Sequence, residues 1–427
     1  MFSDFYIDSS YICIVLYVIM IENNRAENLA ISEGSTICSK TINIDCADGI
    51  YLWDSDGKRY FDMFSQTWSM PLGHNNPRVI EAVKKQLLKI THLRTAYATN
   101  DKIKLTKKII ELSPEGLSKV HFVLHGSLAV EGAMKLAINY HKNREKILYL
   151  EDGFHGRSFA TMGISWKNGG KFQSYFNNGV EVKKNLIDIE RKMKEEKPAA
   201  IILELVQGNS GCNILDKELV QGIRKLCDAE DIAMIVDEVQ TGFGCMGVNF
   251  LCEEYVVVPD ILVFGKAVGG GLPLAGTIYK DKYLFKSGDH SFTFAQNPIS
   301  IAAGIAYIEE LQPTLKNIRV LAPIICDFFK NLEKKYSNLK NVKCMGLKGS
   351  IDVFDNEGLP DCQSSDLIVS KLLDRGIIIS NSRYQNLGNT LMLQAPLITT
   401  PGQLKEVFQE FEVVLEEVYS GKEVKDE

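Results

Sequence analysis

Residues 235–244 read IVDEVQTGFG: an apolar run that stops at two adjacent carboxylates, Asp237 and Glu238, followed by Gln240, Thr241 and two glycines. A short, fully apolar run of this kind suits a strand buried on both faces, as in a parallel sheet. Two readings compete for the acids. Either they open a solvated loop, as most acidic residues after a strand do, or Asp237 is an ionised group set at the end of a buried strand for a purpose. The neighbouring stretches bear on the choice. Further apolar runs, KVHFVL, KILYL, AAIILEL and DILVF, alternate with helical patterns between about 100 and 265, which predicts an α/β fold with a mostly parallel sheet.

Open α/β sheets bind ligands just beyond the carboxyl ends of their strands, so the residues that follow each run belong together. KVHFVL is followed by His125, Gly126 and Ser127 at the start of a helical pattern, and KILYL by EDGFHGRS, which contains Phe154 and His155. AAIIL is followed by Glu204, AMIV by Asp237, and DILVF by Lys266 ahead of three glycines. Unpaired N–H groups at a helix start, with a hydroxyl beside them, suit a phosphate; a plain N-cap is the structural alternative for Ser127. Phe154 suits stacking on a flat ring, or a place in the core. Lys266, between a buried strand and glycines, is expected to be desolvated, which draws its amine toward the neutral nucleophile; a surface lysine is the alternative. A phosphate holder, a ring stacker, a carboxylate and an amine on one edge match pyridoxal 5'-phosphate. A carboxylate ~3 Å from the pyridine nitrogen favours the protonated ring by roughly 5 kcal/mol at an effective dielectric of about 20. That gives Asp237 its purpose.

The flanks differ from the centre. GIYLWDSDGKRYFDM reads as a hairpin around SDGK, and the residues after about 310 mix amphipathic helices with short strands. These patterns predict a large domain over 76–310 and a smaller α+β domain assembled from 20–75 and 311–427. The apolar segment YICIVLYVIMI at 11–21 is shorter than the ~20 residues a membrane span needs, and Asp4 and Asp8 precede it where a signal peptide is basic. Residues 1–19 are therefore expected to be an extension ahead of a start at Met20, with an apolar arm packed on a partner as the alternative.

Composition removes several function classes. With 427 residues, 45% of them hydrophobic, and a formal charge of -6, the chain can bury a sizeable core but has no basic face for nucleic acid. Its ten cysteines include no CxxC pair, so they read as free thiols in the cytoplasm, with no metal site and no membrane partner. His121 and His125 are four apart, but on a strand pattern they do not converge on a metal.

The motifs resemble those of class III aminotransferases, within the fold type I pyridoxal-phosphate-dependent enzymes, over about residues 30–415. DEVQTGFGCMG is similar to the family's DEVQTGFGRTG, LGHNNP to LGHxHP, FHGRS to YHGRT, ELVQGNSGC to EPxQGxGG and TFAQNP to TxxGNP; PDILVFGKAVGGGLPLAG resembles the lysine segment. The resemblance implies that Lys266 forms the Schiff base, that Asp237 faces the ring nitrogen and Gln240 the ring hydroxyl, and that Phe154 and His155 lie against the cofactor. It also implies that Gly126 and Ser127 hold the phosphate, and that Thr293 reaches the phosphate in a neighbouring subunit, hence a homodimer with shared active sites. Trp68, Glu204 and Arg383 are implied as substrate-binding residues. The reaction implied is transfer of an amino group from an amino acid or amine to a 2-keto acid. A racemase or epimerase of the same family is the alternative, and a non-catalytic binding protein on the same sheet is a further one. Two departures stand out: SGSEAN is replaced by HGSLAV, and RxxPPL by MLQAPL, with Met392 at the arginine position. Without that arginine, a monocarboxylate acceptor such as pyruvate is expected.

Overall fold

The computed structural model describes residues 42–166, 176–382 and 388–420. The segment 1–19 and Arg383 lie outside them. The described chain begins with an antiparallel meander of β1 (Ile44–Asp48), β2 (Tyr51–Asp54) and β3 (Arg59–Asp62). The SDGK hairpin forms as expected, because Asp54 Oδ1 accepts the N–H groups of Asp56 and Lys58 at 3.1 and 2.8 Å.

The central sheet follows, from β4 (Lys119–Val123), β5 (Ile147–Leu150), β6 (Gly179–Val182) and β7 (Ala200–Leu203). After a small hairpin of β8 (Val206–Gln207) and β9 (Asn213–Ile214) come β10 (Ala233–Asp237), β11 (Ile261–Phe264) and β12 (Ala275–Tyr279). The spatial order is β4-β12-β11-β10-β7-β5-β6. Parallel pairing joins β11 to β6 through β10, β7 and β5, whereas β12 runs antiparallel to both its neighbours. Every residue of β5, β7, β10 and β11 is buried. Their alternate side chains divide between two apolar clusters: Ile147, Ile202, Ile235 and Val263 in one, Leu148, Ile201, Val236 and Leu262 in the other. These runs are apolar without alternation because both faces of the sheet are covered.

Helices α1 (Pro77–Leu87), α2 (Asn100–Glu111) and α3 (Gly126–His141) lie before β5 in the chain, and α4 (Lys217–Glu230) before β10. The LGHNNP stretch is a device for starting α1. Asn76 Oδ1 accepts from the N–H groups of Arg78 and Val79, and Pro77 takes the first helical position. Gly73 has φ +71°, and a Cβ there would meet Ile398 Cδ1 at 2.4 Å and the Gly49 carbonyl oxygen at 2.6 Å, so no other residue fits. After α5 (Pro298–Thr314) and α6 (Ile318–Lys335), the strands β13 (Leu339–Met345), β14 (Lys348–Val353), β16 (Ser380–Asn381) and β17 (Thr390–Gln394) form an antiparallel sheet in the order β13-β14-β17-β16. Strand β15 (Ile377–Ile378) instead pairs in parallel with β3 and completes the N-terminal sheet. Among the described residues no helix is long and apolar enough to cross a membrane.

One buried acid ties the central sheet to its covering helix. Asp260 accepts Arg224 Nη1 of α4 at 2.7 Å and the Met234 N–H of β10 at 2.9 Å through Oδ2, and Lys280 Nζ at 3.0 Å through Oδ1. Burial works against its charge, but the two cations and the N–H hold its carboxyl below the usual range. Asp260→Asn removes one anion facing two cations and is expected to destabilise the fold by roughly 2–4 kcal/mol, measured as a lower urea midpoint. A midpoint equal to wild type would show that the cluster contributes nothing net.

Candidate active site

The carboxyl ends of the parallel strands open onto one cavity of about 620 Å³, whose walls include Gly126, Ser127, Phe154, His155, Glu204, Asp237, Gln240 and Lys266. Eight of the residues nominated from the sequence thus share one wall. Trp68 is buried beside them, 5.4 Å from Lys266 Nζ measured to its ring centroid. Thr293 is exposed and does not border the cavity, and Arg383 lies outside the described residues.

At one end of the cavity is the start of α3. Its N-cap residue, His125, is extended and makes no side-chain cap, so the helix opens with N–H groups that no capping side chain takes. Ser127 is not an N-cap. Its Oγ accepts the Arg157 N–H at 3.2 Å. Gly156 passes so close that a Cβ would come within 2.3 Å of Ser127 Oγ, and its φ is +133°. Backbone N–H groups, a hydroxyl and the positive helix end therefore meet at a spot where Arg157 also borders the cavity.

At the middle of the sheet, β10 ends in Asp237. Asp237 Oδ2 accepts from His155 Nδ1 at 2.8 Å, and Oδ1 from the Val239 N–H at 3.1 Å. The His155 N–H in turn donates to Ser165 Oγ at 2.9 Å. His155 therefore orients the carboxylate from behind, and its own Nε2 has no protein partner. The solvated-loop reading fails for both acids. Glu238 is also buried, and it accepts the Leu251 and Cys252 N–H groups at 2.7 and 2.8 Å and the Thr241 hydroxyl at 3.0 Å. It fastens the loop that follows the strand and takes no part in the cavity.

Glu204, at the end of β7, accepts the Phe154 N–H at 2.8 Å, and burial pushes its carboxyl up to about 7. Phe154 stands at the cavity wall with the Arg157 guanidinium 5.6 Å from its ring centroid. The Gln240 Oε1 is a buried acceptor without a donor, and its Nε2 reaches Asn209 only at 3.5 Å. Lys266 adopts φ +47°, a left-handed conformation that costs a non-glycine residue about 1–2 kcal/mol and is stored where chemistry needs a fixed direction. Burial, followed by the neighbouring Lys348 ammonium, draws the Lys266 amine down to about 8.

Lys348 is the residue that sequence reasoning missed. It is buried on β14, with its Nζ 3.6 Å from the Trp68 ring centroid. A lysine at the start of a strand reads as solvent-facing, and only the alternation that puts it on one face with Ser350 hints otherwise. Arg157 and Asn209 were also not nominated.

Comparison with known proteins adds the family. A family model described as aminotransferase class-III matches residues 35–415. The acetylornithine aminotransferase of Caldanaerobacter subterraneus subsp. tengcongensis is 34% identical over 383 residues, covering 87% of this chain and 94% of that protein. The 5-aminovalerate aminotransferase of Pseudomonas putida is 32% identical, covering 83% and 89%. Among solved structures, a transaminase from the marine bacterium Virgibacillus superposes with a TM-score of 0.85 at 25% identity, covering 94% of this chain and 99% of that one.

The geometry at Lys266 has a measurable consequence. Competitive labelling of the ligand-free protein with an amine-reactive reagent is expected to modify Lys266 half-maximally near pH 8, against the 10.5 of an ordinary lysine. The sign follows from the depressed value: the neutral amine is already present where surface lysines are still fully charged. A labelling midpoint above 10 would contradict the burial argument.

Proposed function

The chain belongs to the class III aminotransferase family, and from that premise we propose that its strand-edge cavity holds pyridoxal 5'-phosphate, bonded at its aldehyde carbon by Lys266 and faced at its ring nitrogen by Asp237. Amino-group transfer is the reaction class; these relatives give the racemase alternative no support. The observation that carries the site reading is the placement of Lys266 and Asp237 just beyond and at the ends of the adjacent parallel strands β11 and β10, on one cavity with the uncapped start of α3.

The residues present fit the group. The α3 start with Gly126 and Ser127 would take the phosphate, and Gly156, having no side chain, lets its backbone pass directly against the Ser127 hydroxyl there. Phe154 would cover the ring face, and the orphaned Gln240 Oε1 would accept the ring hydroxyl. His155 fixes the direction of Asp237. Bound there, the cofactor supplies an electron sink for the substrate carbon that carries the amine. Lys266, with an amine lowered to about 8, takes the proton from that carbon and returns it, the work of a general base whose affinity for protons lies near the working pH. Glu204 borders the room left for substrate, and Trp68 is buried next to Lys266 beside it.

The finer assignments follow the same reading. The 76–310 segment would form the cofactor-binding domain, with 20–75 and 311–427 joined in the smaller one; the pairing of β15 with β3 supports that junction. Thr293, exposed beside Phe294, would serve the phosphate of a second copy in a homodimer. Exposed Leu88 and Tyr97 are the kind of apolar surface such a contact would cover. The donor is an amino acid with its amine at the far end from a carboxylate, the chemistry named in 5-aminovalerate, and the acceptor is a 2-keto acid.

Borohydride reduction of the holoenzyme followed by peptide mapping should place the pyridoxyl group on Lys266, and Lys266→Ala should fold, dimerise and hold the cofactor without a covalent bond. A label on another lysine overturns the assignment. Asp237→Asn keeps the shape and removes the charge, so kcat should fall at least about a hundred-fold while cofactor affinity, carried by the phosphate contacts, changes less than about ten-fold. Turnover within a few-fold of wild type would remove Asp237 from the ring nitrogen.

A further inference from the structure

We propose that Lys348, buried next to the cavity that Lys266 lines, is the cation that receives a substrate carboxylate remote from the transferred amine, a role that rests on the aminotransferase reading of that cavity. Lys348 is 2% exposed, its Nζ has no hydrogen-bond partner, and it forms no ion pair among the described residues. Burying an ammonium without a counter-charge costs several kcal/mol. An anion arriving with the substrate removes that cost.

The surroundings point the same way. In the β14–β17 register Lys348 faces Gln394 and Ser350 faces Met392, and residues two apart on a strand share a face. The cation therefore lies diagonally across the sheet from Met392, the position where the sequence lacks an arginine. It stands 3.6 Å from the centroid of the Trp68 ring, and Lys266 Nζ lies 5.4 Å from the same centroid. The amine-handling lysine and the unpaired one thus approach the same indole ring. Trp68 Nε1 is itself a buried donor without an acceptor. The ammonium over the ring and the indole N–H at its edge are thus two buried donors without acceptors, a deficit that an arriving carboxylate makes good. Burial also lowers the Lys348 amine, with the Cys212, Cys245 and Glu204 side chains acting in the other direction; an added carboxylate strengthens that second group. With Lys348 in this role the site accepts a dicarboxylate such as 2-oxoglutarate, against the monocarboxylate expected from Met392 alone.

The test compares wild-type holoenzyme with Lys348→Met and Lys348→Arg. Methionine is close in size, and replacing a buried unpaired charge with an apolar group of similar volume leaves a fold equally or more stable, so the Met variant should melt at or above the wild-type temperature. Calorimetric binding of glutarate, a dicarboxylate that cannot accept an amino group, should weaken at least about thirty-fold in Lys348→Met. The KM for 2-oxoglutarate should rise by a similar factor, well beyond any fall in kcat. Reaction with a primary amine that carries no carboxylate should lose far less than reaction with 2-oxoglutarate, its smaller loss reporting the effect of the Lys348 charge on Lys266, and Lys348→Arg should recover most of the glutarate affinity. Unchanged glutarate binding overturns the proposal. Equal losses with carboxylate-bearing and carboxylate-free amines also overturn it, because they assign Lys348 to tuning Lys266 alone. A wild-type enzyme that transfers no amino group from any donor would sink the underlying reading, and the glutarate measurement would still decide the place of the carboxylate.

Discussion

The hydrogen bond between His155 Nδ1 and Asp237 Oδ2 is the contact around which the site is organised. It joins the loop after β5 to the end of β10, and so fixes one buried carboxylate at the wall of the cavity. Everything near it serves that placement: Ser165 holds the His155 backbone, Val239 takes the second carboxylate oxygen, and Glu238 clamps the following loop through Leu251 and Cys252. A charge can be kept in such a place only if each oxygen has a donor. The geometry of the cavity is therefore decided by hydrogen bonds in the layer behind it.

Much of this was legible in the sequence, for a specific reason. In a parallel sheet with both faces covered, strands are unbroken apolar runs, so their ends are visible as the first polar residues after them. Glu204, Asp237 and Lys266 are such residues, and the sheet topology brings them to one edge without further information. The SDGK hairpin and the Asn76–Pro77 helix start were legible because local chemistry determines them. By contrast β12, AGTIY, and β6, GVEV, went unread, since short strands containing glycine carry little periodicity, and the insertion of β12 between β4 and β11 depends on packing.

Lys348 was illegible for a different reason. Its environment is assembled from β14, β17 and the Trp68 segment, which are far apart in the chain, and a lone lysine in KGSIDV carries no local sign of burial beyond its alternation with Ser350. The backbone at Trp68 is equally hard to foresee. Ser65, Gln66, Thr67 and Trp68 have φ of 50, 48, 61 and 65°, a left-handed turn without a single glycine. Strain of this kind is held in place by its surroundings, here the buried Asp62, which accepts from the Phe64 and Gln66 N–H groups and pairs with His74. So constrained a backbone holds Thr67 and Ser69 at the wall of the cavity and the Trp68 ring in one place beside it.

The pairing of β15 with β3 also shapes how the molecule is made. Near that junction Lys58 Nζ donates to the Asp374 carbonyl across 316 residues of chain. At about 5–20 residues per second, a ribosome takes roughly 15–60 s to bring the second partner out after the first. For that interval the edge of β3, with Phe61 and Met63 beside it, has no strand to cover it, while the central sheet, complete by Tyr279, is free to form. The emerging chain thus carries an open, apolar strand edge through most of its synthesis, a natural site for a chaperone to hold and for aggregation to begin.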